Sequence, residues 1–449
     1  MKRYRNNTNL NETTRSEFEL MGEFGVNPDF LERQLRDGFA IGVFKYEGGK
    51  AEVKTTPVLY TKDDKIAGGY LPLTNSIKHC IYGFLEDGTF VRLNTFSSSN
   101  HRLHISGLSA IKYISYETDF FRLPFNKEQE PEELWITINS LSEIASYIIP
   151  QDLENTEALR KQDVKICELT DFDIFLKLLY FKNNSQMSSS IKTNIALKIK
   201  PHKPYSEKTI LNYINKFEKF ISIINDSRMD ITSIRFMKDK KCIKLRLPYS
   251  EVMKENASKD FSSFVYIPGL AFKFYTNELG NVFKAVNKDD INFNNLINNY
   301  IYNINRELNI NSSLLDYVNS IEFYMAGKKF KNGKRIKSLN KKISFFIESL
   351  PEKLYHLFFE EAKSKENPTE SMFINSVVDT RDYLTHGEKT KSEFLITDFQ
   401  KQVDYVEFLR NIIRVKILYE YNIPEDIIYQ EYSNKWGNRY FCSLIKRYL

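Results

Sequence analysis

Asp379-Thr380-Arg381-Asp382-Tyr383-Leu384-Thr385-His386-Gly387 is the stretch around which the rest of the chain is read. Phe373, Ile374, Val377 and Leu384 recur at helical spacing and draw an apolar stripe through it. Arg381 falls on that stripe, where another apolar residue is expected. A guanidinium there needs an anionic partner or a cleft to line, because burying it alone is costly. His386 follows five positions later, and Gly387 is placed to end the helix in a left-handed cap. Five residues exceed one turn of about 3.6 residues, so the two side chains are not stacked neighbours. They converge only if His386 sits in a loosened last turn. The plain reading is an Arg paired with a carboxylate and a His at a helix end. The sharper reading is a fixed cation and a titratable ring beside one crevice.

Outward from this stretch, the last third of the chain reads as helix after helix. Residues 291–309, 313–326, 334–349, 351–365, 369–386, 395–421, 424–432 and 437–448 carry apolar residues at helical spacing with short connections. That pattern predicts an up-and-down bundle. Lys328, Lys329, Lys331, Lys334, Arg335, Lys337, Lys341 and Lys342 crowd one loop and the next helix start without an acidic residue among them. The run reads either as a solvated face or as a grip on phosphates whose strength falls with salt.

The preceding residues are mostly strand-like. Residues 38–46 and 51–60 flank a Glu-Gly-Gly turn, and 80–85 and 89–96 flank Glu86-Asp87-Gly88, a strong hairpin signal. Further strands are expected at 103–116, 134–138, 163–169, 194–199, 231–237 and 241–247. Between them, Ser206 is placed to cap a helix running to about Ile224. The fold class is therefore α+β. A tail at 1–14 precedes a β-rich domain at 15–287, with a split near 150 left open, and an all-α bundle follows at 288–449.

Composition narrows the function less. The 449 residues are 42% hydrophobic and 27% charged, with a net charge of +6 that permits an anionic partner without demanding one. Cys80, Cys167, Cys242 and Cys442 form no close pair, so reduced thiols are expected. His101 and His104 lack companion ligands, and no metal or cofactor is expected. There is no Gly-rich phosphate loop and no nucleophile elbow. The polar start and the lack of a long apolar run predict a cytoplasmic protein without a membrane span.

The Arg381-Asp382-x3-His386 arrangement near the end of a bundle helix, with a long helix after it, resembles a HEPN domain. The run Ile81 to Leu93 around Asp87-Gly88 resembles the N-terminal domain of the ApeA group of HEPN proteins. So does the strand at Ile195–Ile199 leading through Pro201, Pro204, Tyr205 and Ser206 into a helix. One departure is Gly387-Glu388 after the His, where many members carry an aromatic residue. The resemblance spans about 15–449. It implies a metal-independent endoribonuclease acting in bacterial defence against phage, with tRNA among the candidate RNAs and a phage protein as a candidate trigger. It also implies a homodimer or higher oligomer in which two copies of the motif face one cleft. Non-catalytic RNA- or protein-binding members exist, and the β-rich half is readable as a sensor.

The residue types suit RNA cleavage. Imidazole, with an ordinary pKa of about 6.5, can take or give a proton near neutrality. Arg381 offers a planar fork of donors to a crowded, more negative transition state. Asp382 has a supporting role. Attack by the 2′-hydroxyl would leave a 2′,3′-cyclic phosphate and a 5′-hydroxyl, and DNA would be spared.

Overall fold

The computed structural model describes residues 17–30, 39–47, 49–56, 59, 65–66, 69–70, 75–76, 80–99, 111–124, 130–138, 163–184, 189–203, 205–226, 229–248, 285–286, 290–304, 309–330, 332–359, 370–387 and 394–433. They fall into two compact units: one β-rich, and one of helices that gathers residues 206–229 together with those from 285 onward.

The β-rich unit is built around a closed ring. Strands β1 (Glu17–Gly25), β2 (Ala40–Glu47) and β3 (Lys50–Thr56) follow one another antiparallel. The two-residue strands β4 (Lys65–Ile66), β5 (Gly69–Tyr70) and β6 (Asn75–Ser76) come next. Then β7 (Ile81–Leu85), β8 (Phe90–Ser99) and β9 (Ile111–Phe121) complete the barrel. β1 pairs with β7, β7 with β8, β8 with β9 and β9 with β3, so six antiparallel strands leave no free edge. The alternation of buried and exposed residues along Ala40–Glu47 sends Ala40, Phe44 and Tyr46 inward. They meet Phe24, Val53, Ile81, Leu85, Val91, Leu93, Tyr113 and Phe120 in the barrel core. Gly83 is fixed by that packing, because a Cβ there would lie 2.6 Å from the Phe24 ring.

Strand β9 serves two partners along one edge. Ile111–Ser115 pair with β3, and Glu117–Phe121 pair with β15 (Lys241–Pro248). From β15 the sheet runs on through β14 (Ile231–Lys238), β10 (Glu133–Ile138), β13 (Ser189–Pro201), β12 (Phe172–Asn184) and β11 (Val164–Glu168). Where barrel and open sheet meet, Arg92, Asp119 and Arg246 occupy facing positions on three adjacent strands. Arg246 donates from Nε and Nη2 to the two Asp119 oxygens at 2.6 and 2.9 Å, and Arg92 Nη2 donates at 2.7 Å.

The helical unit contains α1 (Glu207–Asn225), α2 (Ile291–Ile304), α3 (Ile310–Tyr324), α4 (Leu339–Glu348), α5 (Glu352–Phe359), α6 (Glu370–His386), α7 (Phe399–Glu420) and α8 (Glu425–Ser433). The Ser206 hydroxyl accepts from the Thr209 N–H, so the expected cap starts α1. Helix α7 is its axis: Ile412 to Leu418 are all buried, Arg414 and Lys416 among them. Arg414 donates to the carbonyls of Ile223 and Ile224 at 2.8 and 2.6 Å, closing the last turn of α1. Phe220 packs edge-on against Tyr421 at 5.6 Å. By sequence α1 lies within the expected β-rich domain. Its contacts cluster with those of the helices, Phe220 on Tyr421 among them, and so it groups with the bundle.

Other expectations shift at their ends. Of the strand read at 103–116, residues 103–110 lie outside the described residues, and its described part runs on to Phe121. The helix read from 334 starts at Leu339, because Lys334 and Arg335 belong to a hairpin. Helix α7 begins one residue after its cap Asp398, whose carboxylate accepts from the Lys401 N–H. Strand β1 falls in the stretch from Phe18 that reads as mostly strand-like, and β12 has no counterpart among the expected strands. The expected tail at 1–14, the final helix at 437–448, Cys442, His101 and His104 lie outside the described residues. Cys80, Cys167 and Cys242 are free thiols. No helix among the described residues is long and apolar enough to cross a membrane.

Candidate functional site

Helix α6 carries the Arg-x4-His stretch. Its first half is anchored by Phe373, which stacks on Tyr405 at 5.2 Å and meets Phe408 at 4.7 Å. Phe373, Ile374, Val377 and Val378 are buried as the stripe requires. The burial fades towards the end, where Leu384 is only half-buried. Thr380 is fully buried, and its hydroxyl accepts from the Ile396 N–H at 3.1 Å, pinning the chain that leads into α7.

Arg381 is the first charged residue beyond that pin. Its side chain keeps 21% exposure, neither sealed in the core nor free in water. Nη1 donates to Asp382 Oδ1 at 2.9 Å, and Nη2 lies 3.7 Å from Glu322 Oε2 on α3. Glu322 Oε1 in turn accepts from Lys342 Nζ on α4 at 2.8 Å. Arg381 Nε is buried without a hydrogen-bond partner among the described residues. Two cations and two carboxylates from three helices thus form one partly open cluster.

The other motif residue is not part of that cluster. Helix α6 stays regular to its end: Gly387, at φ +68°, gives its N–H to the Tyr383 carbonyl at 2.9 Å in the left-handed cap the sequence predicts. His386 is exposed on the last turn, roughly 7.5 Å of helix rise beyond Arg381. No hydrogen bond joins the two side chains.

The basic run divides. Lys328–Phe330 and Asn332–Ile336 pair as a tight β-hairpin: Lys329 bridges Arg335, Phe330 N–H reaches the Lys334 carbonyl at 2.9 Å, and Ile336 N–H reaches the Lys328 carbonyl at 3.2 Å. Phe330 packs edge-on against Phe345 at 5.8 Å, tying the hairpin to α4. Lys329, Lys334, Arg335, Lys337 and Lys341 are exposed. Lys331 lies outside the described residues. Lys328 is half-buried with Nζ 3.5 Å from the Tyr324 ring centroid, and burial, then the nearby Lys416 charge, lowers its pKa. Lys342 is half-buried and committed to Glu322. Two residues at the site escaped sequence reasoning. Glu322 lies 59 positions before Arg381 on an ordinary helix, with no local signal. Thr380 stands inside the quoted stretch, but only its burial reveals its role.

A β-barrel with an attached sheet, followed by a helical bundle that carries an Arg-x4-His helix, defines a two-part α+β protein. The chain belongs to the ApeA-like HEPN family: the Apea-like HEPN family profile matches residues 283–427, and that of ApeA N-terminal domain 1 matches 40–288. No curated protein and no solved structure gives a significant match.

Proposed function

We propose that the protein is an endoribonuclease of the HEPN type serving in defence against phage, with Arg381 and His386 as its catalytic residues. The observation that carries this is the state of Arg381. It is a permanent cation held by two carboxylates at a three-helix junction, still open to solvent, one helix end away from an exposed imidazole. His386 moves the proton of the attacking 2′-hydroxyl or of the leaving 5′-oxygen, and Arg381 steadies the charge that builds on the phosphate. Asp382 orients Arg381. Within one chain no hydrogen bond joins the two side chains among the described residues, which favours a homodimer whose paired motifs complete one cleft. The exposed cations Lys329, Lys334 and Arg335 of the hairpin, with Lys337, Lys341 and Lys331, hold the flanking RNA backbone. The products are a 2′,3′-cyclic phosphate and a 5′-hydroxyl, with tRNA as a candidate substrate and a phage protein as a candidate trigger.

A second reading is a non-catalytic RNA- or protein-binding module with a β-rich sensor. It is favoured by the same ion pairs, since Asp382 and Glu322 already satisfy part of Arg381. The test is to incubate purified protein with RNA in excess EDTA. Cleavage is expected in the wild type and a loss of about 10²-fold or more in His386→Ala, whose exposed ring contributes little to stability. Cleavage that requires added metal, or that persists in both Arg381→Ala and His386→Ala, refutes the proposal. A growth defect on expression that His386→Ala fails to relieve favours the binding module.

A further inference from the structure

The two cations that share Glu322 stand apart from the rest of the basic run. Lys342 projects from α4 and Arg381 from α6. Glu322 on α3 reaches Lys342 with one oxygen at 2.8 Å and Arg381 with the other at 3.7 Å. An ammonium and a guanidinium placed side by side repel each other, and a half-buried pair does so with little screening. The bridging carboxylate holds them together. A phosphodiester presents two non-bridging oxygens at about the separation of a carboxylate's two, so a pair of cations that share one carboxylate also matches one phosphate.

Three further facts point to a ligand at this cluster. The Arg381–Glu322 contact is long for an ion pair, so it is readily exchanged. Arg381 Nε is buried without a hydrogen-bond partner among the described residues, which leaves a donor on the side chain unused. Lys342 keeps 14% exposure and Glu322 keeps 35%, so the cluster opens to solvent rather than closing as a core ion pair.

We infer that Lys342 and Arg381 together grip a single phosphate of the RNA, the scissile one, and that Glu322 is the positioning residue that builds this two-cation cradle. The inference rests on the nuclease reading and assigns Lys342 a place different from that of the hairpin lysines. The exposed hairpin cations meet flanking phosphates one at a time, whereas Lys342 acts on the phosphate at which bonds change.

Two cations on one phosphate give losses that do not multiply; cations on separate phosphates give losses that do. The experiment therefore measures kcat/KM on a single RNA for Arg381→Met, Lys342→Met and the double variant. Arg381→Met with Lys337→Gln is the control pair. The double variant at 381 and 342 is expected to be at least about tenfold more active than the product of the single losses, while the control pair multiplies. Lys342→Arg is expected to restore most of what Lys342→Met loses, which a fault in folding would not predict. Glu322→Gln is expected to lower kcat by about tenfold with little change in KM, as lost orientation does. Lys342→Met within twofold of wild type, or losses at 381 and 342 that multiply, overturns the inference while leaving the nuclease reading intact. Wild-type protein that does not cleave RNA in excess EDTA overturns both.

Discussion

Thr380 shows how one side chain sets the place of its neighbour. It is fully buried one position before Arg381, and its hydroxyl receives the Ile396 N–H. Helix α6 and the approach to α7 are therefore locked together where the guanidinium leaves the core. Thr380→Val keeps the shape and removes the acceptor, leaving a buried N–H unmatched. Such a loss costs about 1–3 kcal/mol, read as a lower urea midpoint with an unchanged slope. An unchanged midpoint would mean that the bond does not hold the segment. Arg381 itself was legible as an anomaly on an apolar stripe, because charge among apolar residues is a local signal. Its partner Glu322 was not, because nothing local distinguishes one acidic residue on a helix from another.

At the scale of the element, α1 depends on cations that it does not carry. Its last turn holds no basic residue, and Asp226 follows in the left-handed region at φ 51°. The carbonyls of Ile223 and Ile224 are met by Arg414, while Arg410 pairs with Asp226 at 2.6 Å. Positive charge at the negative end of a helix is stabilising, more so when buried. Arg414→Met is expected to cost about 2–4 kcal/mol, since three charge-assisted hydrogen bonds are lost, two to α1 and one to the Tyr432 hydroxyl. Hydrogen exchange along 207–225 should quicken first. Protection there that matches wild type would show that packing alone holds the helix. The sequence supplied the cap at Ser206 and the stripe from Ile210 to Ile224. A stripe says that a face is buried, not which neighbour buries it.

At the scale of the whole molecule, the response to acid runs through a buried carboxylate of the β-rich unit. Asp119 is wholly buried where the barrel meets the open sheet. Burial alone would raise its pKa, but the hydrogen bonds and charge of Arg246, with Lys244 and Arg92, bring it down from 3.8 to about 2. A depressed carboxylate stabilises the fold fully above its unfolded value and loses that contribution as pH falls through the folded one. The shift corresponds to about 2 kcal/mol, present above pH ~4 and gone below ~2. Denaturation of the wild type and Asp119→Asn across that window checks this. The variant should be markedly less stable at neutral pH, because Arg246 and Arg92 lose a buried partner, and flatter with pH. A variant that keeps the wild-type slope would assign the acid response to other groups.

The chain's own order of residues was enough to determine an α+β protein with strands first and helices last, the hairpin at Asp87-Gly88, the caps at Ser206 and Gly387 and the Arg381–His386 spacing. These follow from periodicities of two and 3.6 and from backbone preferences that act within a few residues. Only the tertiary structure decided that the first strands close into a barrel, that α1 joins the helical unit, and that Glu322 links Lys342 to Arg381. Each of these joins residues tens of positions apart. Such pairings are selected by packing and charge matching in space, which no local pattern encodes.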